Sequence, residues 1–142
     1  MNGNVELLNF IYQNSQMGVI TIKQLQGIVN DDSFKNILES QYNEYNEINN
    51  EAQRLLNQHG FDEKGISAFE KIRTYLMINI QTLTDKSASH VSEMMTIGSN
   101  MGIINAIKNL KKYNDAEPEI LNLMERLLRF EENNVQELKQ FL

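Results

Sequence analysis

A chain of 142 residues is long enough for one domain with a hydrophobic core, and its 41% apolar and 23% charged residues are typical of a folded protein. The net charge of −6 argues against nucleic acid as a partner, because binding to phosphates requires a basic surface. The absence of cysteine excludes disulfides, thiolate catalysis and cysteine-based zinc sites.

The scarcity of turn-forming residues predicts an all-α fold. The chain has 7 glycines and a single proline, Pro118, so it holds few tight turns. Five segments repeat apolar residues at three- and four-residue steps, namely 5–29, 34–59, 68–83, 87–113 and 118–141. We expect one domain over residues 1–142, an up-down four-helix bundle of two antiparallel hairpins with the short helix 68–83 as the crossover.

The first hairpin follows from two amphipathic patterns joined by a short link. Ser15 and Gly18 interrupt the apolar stripe of helix 5–29. Small residues at such positions allow the close approach of another helix, which is the favoured interpretation, or leave room for a ligand. Helix 34–59 ends before Gly60, a residue typical of the position that follows a helix. Its inward stripe is predicted at Phe34, Leu38, Gln41, Tyr45, Ile48, Ala52, Leu55 and His59. Four acidic residues lie off this stripe and indicate a solvated face: Glu39, Glu44, Glu47 and Glu51.

The middle of helix 68–83 is apolar on nearly every side, through the consecutive residues Tyr75, Leu76, Met77 and Ile78. A helix that is apolar on two faces needs cover on both, from its own chain or from another subunit. We therefore predict that these four residues also form the contact of a homodimer.

The long helix 87–113 determines what lies at the centre of the predicted bundle. Its inward side is predicted from residues at helical spacing: His90, Met94, Ile97, Met101, Ile104 and Lys108. Gly98 and Gly102 are expected to allow close packing. This pattern predicts an apolar centre, in which His90 is the one candidate ligand on that helix.

Metal chemistry has little support from the residue pattern. Two-metal bundles take one glutamate from each of two helices and a Glu-x-x-His from each of the other two. The chain contains no Glu-x-x-His; its nearest match is the reversed pair of His90 and Glu93, at the start of a helix. A partly exposed histidine and a glutamate that complements the helix dipole are the simpler interpretation. The chain has two histidines, and no serine is spaced from either in a recognisable Ser–His catalytic pattern. No catalytic residue is therefore predicted.

The last helix, 118–141, contains the best candidate for a buried carboxylate. Its inward stripe is predicted at Ile120, Leu123, Leu127, Phe130, Asn134, Leu138 and Phe141. Glu131 falls near this stripe, and a buried glutamate requires a polar partner. The candidates for that partner are Tyr45, Arg73 and His59. A structural polar contact is the favoured role of Glu131.

The layout is similar to that of the ferritin-like superfamily, in particular small bacterial proteins of unknown function built as two helical hairpins. The matching stretch is residues 65–113: a short helix with an apolar-aromatic middle, the sequence LTDK at 83–86, and a long helix with Gly98 near its centre. In proteins of this group an acidic residue follows that glycine and could serve as a metal ligand. Here the position is Ser99, a departure that weakens any metal assignment implied by the resemblance.

We expect a non-enzymatic bundle without a cofactor that acts through protein or small-ligand contacts. The alternative is a carboxylate metal-binding or oxidoreductase bundle with di-iron or manganese, whose ligands would come from Glu39, His90, Glu93 and Glu131. A third hypothesis is a peripheral membrane or cell-envelope stress protein. The N-terminal sequence MNGNVELLNF lacks the features of a signal peptide, and no apolar run is long enough for a membrane span, so we expect a cytoplasmic location.

Overall fold

The computed structural model describes residues 3–62 and 70–142. Within them every regular element is an α-helix, and the five are α1 (Asn4–Gln26), α2 (Asp32–Gln58), α3 (Glu70–Gln81), α4 (Ala88–Lys112) and α5 (Pro118–Lys139). The all-α prediction is confirmed. Where both are described, predicted and observed helix ends agree within three residues. The predicted start of the third helix at residue 68 lies outside the described residues.

The helix ends follow from local chemistry. The Asp31 carboxylate accepts a hydrogen bond from the Phe34 backbone N–H at 2.8 Å and so caps α2, and Ser87 caps α4 in the same way. Gly60 follows α2 with φ +81°, a conformation that glycine adopts without steric cost. Pro118 is the first residue of α5, where its missing N–H leaves no hydrogen bond unmade.

Side-chain contacts define the directions of the helices. In the first pair, Gly18 faces Tyr45 while the Tyr12 carbonyl accepts a hydrogen bond from Asn49, so α1 and α2 are antiparallel. In the second pair, the Ser92 hydroxyl donates to the Leu138 carbonyl and Gly102 adjoins Glu131, so α4 and α5 are antiparallel as well.

The two pairs are joined in a way that requires a crossover. Asn4 accepts a hydrogen bond from the Glu117 N–H and Asn14 contacts Glu131, so α1 and α5 run in the same direction. Helices α2 and α4 therefore both run opposite to α1. The end of α2 and the start of α4 lie at opposite ends of the bundle, and α3 belongs to the connection between them.

Helix α3 packs on α1 and α4 through one side. Ile72 and Leu76 are buried, and Leu76 lies directly against Gly98 of α4. Ile78, by contrast, is 54% exposed. Of the residues predicted to form a dimer contact, Leu76 is thus covered by its own chain and Ile78 faces solvent. The homodimer itself stays a prediction.

The inward side of α4 differs from the prediction by a rotation of the helix. Ile97 and Ile104, predicted to face inward, are 42% and 53% exposed. The buried residues are Val91, Ser92, Met94, Met95, Gly98, Gly102 and Ala106. Because the two glycines carry no side chain, Leu76 and Glu131 approach the α4 backbone closely, and this contact sets the side that faces the core.

The core is mostly apolar but not wholly so. Among the described residues, eight polar or charged side chains are also buried: Asn4, Gln13, Asn14, Ser15, Gln41, Ser92, Glu131 and Asn134. The expectation of an apolar centre therefore fails at a few positions, and several of these cluster around Glu131. No helix in the described part of the chain has both the length and the apolar character needed to cross a membrane.

Candidate binding site around Glu131

A buried carboxylate lies where three helices meet. Glu131 of α5 is 2% exposed. Asn14 of α1 donates a hydrogen bond from Nδ2 to Oε1 at 2.7 Å, and the Tyr45 hydroxyl of α2 donates to Oε2 at 3.0 Å. Of the three candidate partners predicted for a buried Glu131, Tyr45 is the one that contacts it. The other two candidate partners lie elsewhere, since Arg73 is exposed and His59 pairs with Glu117 at 3.4 Å.

The fourth long helix contributes space to the site. A Cβ atom at Gly102 of α4 would lie 3.4 Å from Glu131 Oε2 and 3.5 Å from Asn14 Nδ2. The sequence predicted close packing at Gly102, and the group that packs there is a carboxylate with its amide partner. All four long helices therefore border the same polar cluster.

The environment of Glu131 raises the pKa of its carboxyl group toward neutral pH. Burial raises the pKa of Glu131 to about 7, and the hydrogen bonds from Asn14 and Tyr45 offset only part of that rise. Burial also raises the pKa of Tyr45 well above its usual value, with a further rise from the adjacent Glu131 and a smaller opposing effect of Asn134. Tyr45 consequently remains protonated and acts as a hydrogen-bond donor to the carboxylate.

The Tyr45 ring is held in place on two sides. Gly18 of α1 lies against one face, so close that a Cβ atom there would be 2.7 Å from ring carbons. Phe130 makes an edge contact, with ring centroids 4.7 Å apart and an interplanar angle of 77°. The expected close approach at Gly18 is therefore confirmed, and its consequence is a fixed position for the Tyr45 hydroxyl.

A cavity of about 40 Å³ adjoins the carboxylate. Its lining includes Asn14, Gln41, Tyr45 and Glu131, together with Met17, Gly18, Thr21, Ile22, Leu76, Met95, Gly98 and Ser99. Gly18, Thr21 and Ser99 are partly exposed, so the cavity is accessible from the surface. A cavity of this volume has room for about three water molecules or for one small ligand of the same size.

Gln41, which lines the cavity, has a hydrogen-bond donor without a partner in the described part of the chain. Gln41 of α2 is 2% exposed, and its Nε2 has no hydrogen-bond partner among the described residues. An unpaired buried amide costs free energy, so the site gains stability from any molecule that offers Nε2 an acceptor. Gln41 lies on the predicted inward stripe of α2. A polar residue among apolar ones at such a position indicates a buried polar group.

The remaining candidates for metal ligation are not brought to Glu131. Glu39 and Glu93 are exposed, and His90 lies half-buried at the start of α4. Within residues 3–62 and 70–142, no three histidine, aspartate or glutamate side chains gather in a way that could hold a metal ion. The groups that do meet Glu131 are an amide and a phenol. Asn14 was not predicted, because α1 is buried on most sides and its sequence does not single out which polar residue faces the carboxylate.

Replacing Tyr45 with phenylalanine should destabilise the fold in a pH-dependent manner. The substitution keeps the ring and leaves Glu131 Oε2 without its donor. We expect a loss of about 2 kcal/mol in the free energy of unfolding at about pH 8, where the carboxylate is ionised, and about 1 kcal/mol at about pH 5. Urea unfolding at both pH values measures this difference. Tyr42→Phe, at a half-buried position of the same helix, is the control, and an equal loss for both variants would contradict the role of Tyr45.

Comparison of the chain with protein-family models, with curated proteins and with solved structures finds no match. The function is therefore inferred from the geometry and chemistry of the site itself.

Proposed function

We propose that this protein is a non-enzymatic, ferritin-like helical bundle that binds a small neutral molecule in the cavity beside Glu131. The ligand would be an amide or an alcohol of about three or four non-hydrogen atoms, as the cavity volume requires. The observation that carries the proposal is Gln41, a buried residue that lines the cavity and whose Nε2 has no partner among the described residues.

The polar groups of the wall favour a neutral ligand. A ligand oxygen would accept a hydrogen bond from Gln41 Nε2, and a ligand N–H or O–H would donate to a free lone pair of Glu131. Glu131 is partly ionised at neutral pH, so an anion would be repelled. A cation would compete with the two donors that already occupy the carboxylate, Asn14 and Tyr45.

The engagement of the titratable groups supports binding rather than catalysis. Glu131 and Tyr45 are the titratable residues among the described cavity lining, and they are hydrogen-bonded to each other. The hydrogen bond between them fixes both side chains before a ligand binds, which lowers the entropic cost of binding.

The helix directions support the ferritin-like arrangement. Helices α1 and α2 form one antiparallel pair, α4 and α5 form another, and α2 and α4 run the same way because α1 and α5 are parallel. An antiparallel pair joined to a second by one long crossover is the topology of ferritin-like bundles. A cytoplasmic location is part of the proposal.

Titration with small probes, followed by NMR of the backbone amides, tests the proposal. Acetamide should shift the signals of Gly18, Gln41 and Ser99, whereas acetate at about pH 8 should leave them unchanged. Gln41→Leu should weaken acetamide binding roughly tenfold, since one hydrogen bond is lost. Gln136→Leu, at an exposed position of α5, is the matched control.

Two results would contradict the proposal. The first is the absence of saturable shifts with acetamide, or shifts that Gln41→Leu does not change. The second concerns protein purified with iron and manganese available. Stoichiometric metal that is lost on Glu131→Ala would replace this proposal with the carboxylate metal-binding alternative.

A further inference from the structure

Helix α4 presents an apolar stripe to solvent. Among the described residues seven large apolar side chains are exposed, and three of them are isoleucines of α4: Ile97, Ile104 and Ile107. Isoleucine is a mediocre helix former, so helix propensity gives no reason to place it on an exposed face. Single exposed apolar residues are ordinary, but a row of them on one helix indicates a contact surface.

The residues on this face follow a symmetric order. We define the α4 face as Glu93, Ile97, Asn100, Met101, Ile104 and Lys108. These residues are exposed or, in the case of Met101, half-buried, and they lie along about 22 Å of one side of the helix. Glu93 lies at one end and Lys108 at the other, with Ile97, Asn100, Met101 and Ile104 between them. The midpoint of the pattern falls between Asn100 and Met101.

We infer that this protein forms a homodimer in which the α4 faces of two copies pack antiparallel around a two-fold axis at that midpoint. In this arrangement Ile97 lies opposite Ile104 of the second copy, and Glu93 lies opposite Lys108 of the second copy. A two-fold axis makes every such contact twice, so the isoleucines cover one another and both ends carry opposite charges. A parallel arrangement would instead place Glu93 against Glu93 and Lys108 against Lys108.

This interface differs from the one predicted at Tyr75, Leu76, Met77 and Ile78. Leu76 is covered by α4 within the same chain, whereas Ile97 and Ile104 are 42% and 53% exposed. The inference is independent of the ligand proposed for the cavity, because the α4 face lies on the opposite side of α4 from Gly98 and Gly102.

Sedimentation velocity over a wide range of protein concentration measures the association. The full chain should sediment as a dimer. Ile104→Glu should raise the dissociation constant at least roughly a hundredfold, because the charge enters the centre of the interface twice. Ile78→Glu, which adds the same charge at the exposed residue of α3, should leave the dissociation constant unchanged. Circular dichroism verifies that both variants are folded.

Charge reversal tests the antiparallel register. Glu93→Lys and Lys108→Glu should each raise the dissociation constant roughly tenfold, because each creates two like-charge contacts. The variant with both reversals should return to within about threefold of the original value, since the opposite charges face each other again. A wild-type monomer at every concentration, a dimer that survives Ile104→Glu, or a double reversal that does not restore association would overturn the inference.

Discussion

Replacing Glu131 with glutamine is expected to remove most of the pH dependence of stability between about pH 5 and pH 8. The pKa of Glu131 rises from its ordinary value of 4.5 to about 7 in the folded protein, mainly because the carboxyl group is buried. Between these values the folded state holds a proton that the unfolded state has lost. Stability therefore falls as the pH rises through this window, and it levels off once the folded carboxyl group is ionised.

The size of this effect follows from the shift in pKa. Holding an ionised Glu131 in the core costs roughly 3 kcal/mol relative to the protonated form. Glutamine has the shape of glutamate without its charge. Its amide oxygen can accept a hydrogen bond from Asn14, and its amide N–H can donate one to the Tyr45 hydroxyl oxygen. At about pH 8 Glu131→Gln should therefore be more stable than the wild type by a large part of that amount.

Urea unfolding of both proteins at several pH values measures the difference. The control is Glu132→Gln, which removes a carboxylate at the next, exposed position of α5 and should leave the pH dependence intact. If the free energy of unfolding changes with pH in the same way for the wild type and for Glu131→Gln, Glu131 is not held as a buried, partly protonated acid.

Gly18→Ala should destabilise the fold by about 3 kcal/mol, although alanine is the better helix former. The added Cβ atom would lie 2.7 Å from carbons of the Tyr45 ring. The ring cannot move away freely, since Phe130 packs against it and its hydroxyl is bonded to Glu131. The substitution should therefore displace Tyr45 and weaken its hydrogen bond to the carboxylate.

The matched control is Gly27→Ala, at the C-terminal end of α1. Gly27 has φ −82° and ψ −7°, which any residue adopts, and a Cβ atom there would have 3.7 Å to its nearest neighbour. Alanine should stabilise this position by up to about 1 kcal/mol by restricting the unfolded chain. Thermal and urea unfolding of the two variants give the comparison. A Gly18→Ala protein as stable as Gly27→Ala would refute the tight packing of Tyr45.

The predicted and observed buried sides agree best for helices with one clearly apolar side. On α2 the predicted stripe from Phe34 to Leu55 is buried, and only His59 at its end is not, because one apolar side alternates with clearly polar ones. On α5 the same holds for Ile120, Leu127 and Leu138. On α4 the prediction was wrong for Ile97 and Ile104, because apolar residues occur on several sides and the periodicity admits more than one inward face.

The polar cluster was predicted only in part. Glu131 was predicted as a buried carboxylate because it lies next to an apolar stripe, and Tyr45 was one of its three candidate partners. Asn14 was missed, since α1 is buried on most sides and any of its polar residues could have faced inward. The metal candidates Glu39, His90 and Glu93 lie apart from Glu131 on exposed or half-exposed positions.

From the residue order alone came the all-α class, the positions of the helix ends and the inward faces of α2 and α5. Each of these depends on residues that are neighbours within a turn or two of helix, so local spacing and capping chemistry decide them. Only the tertiary structure decided which polar groups meet. Tyr45 and Asn14 lie 86 and 117 residues from Glu131 along the chain, and the direction and rotation of whole helices bring them together. No local sequence pattern contains that packing. It places the Glu131 carboxylate next to Gly102 and at the wall of the cavity.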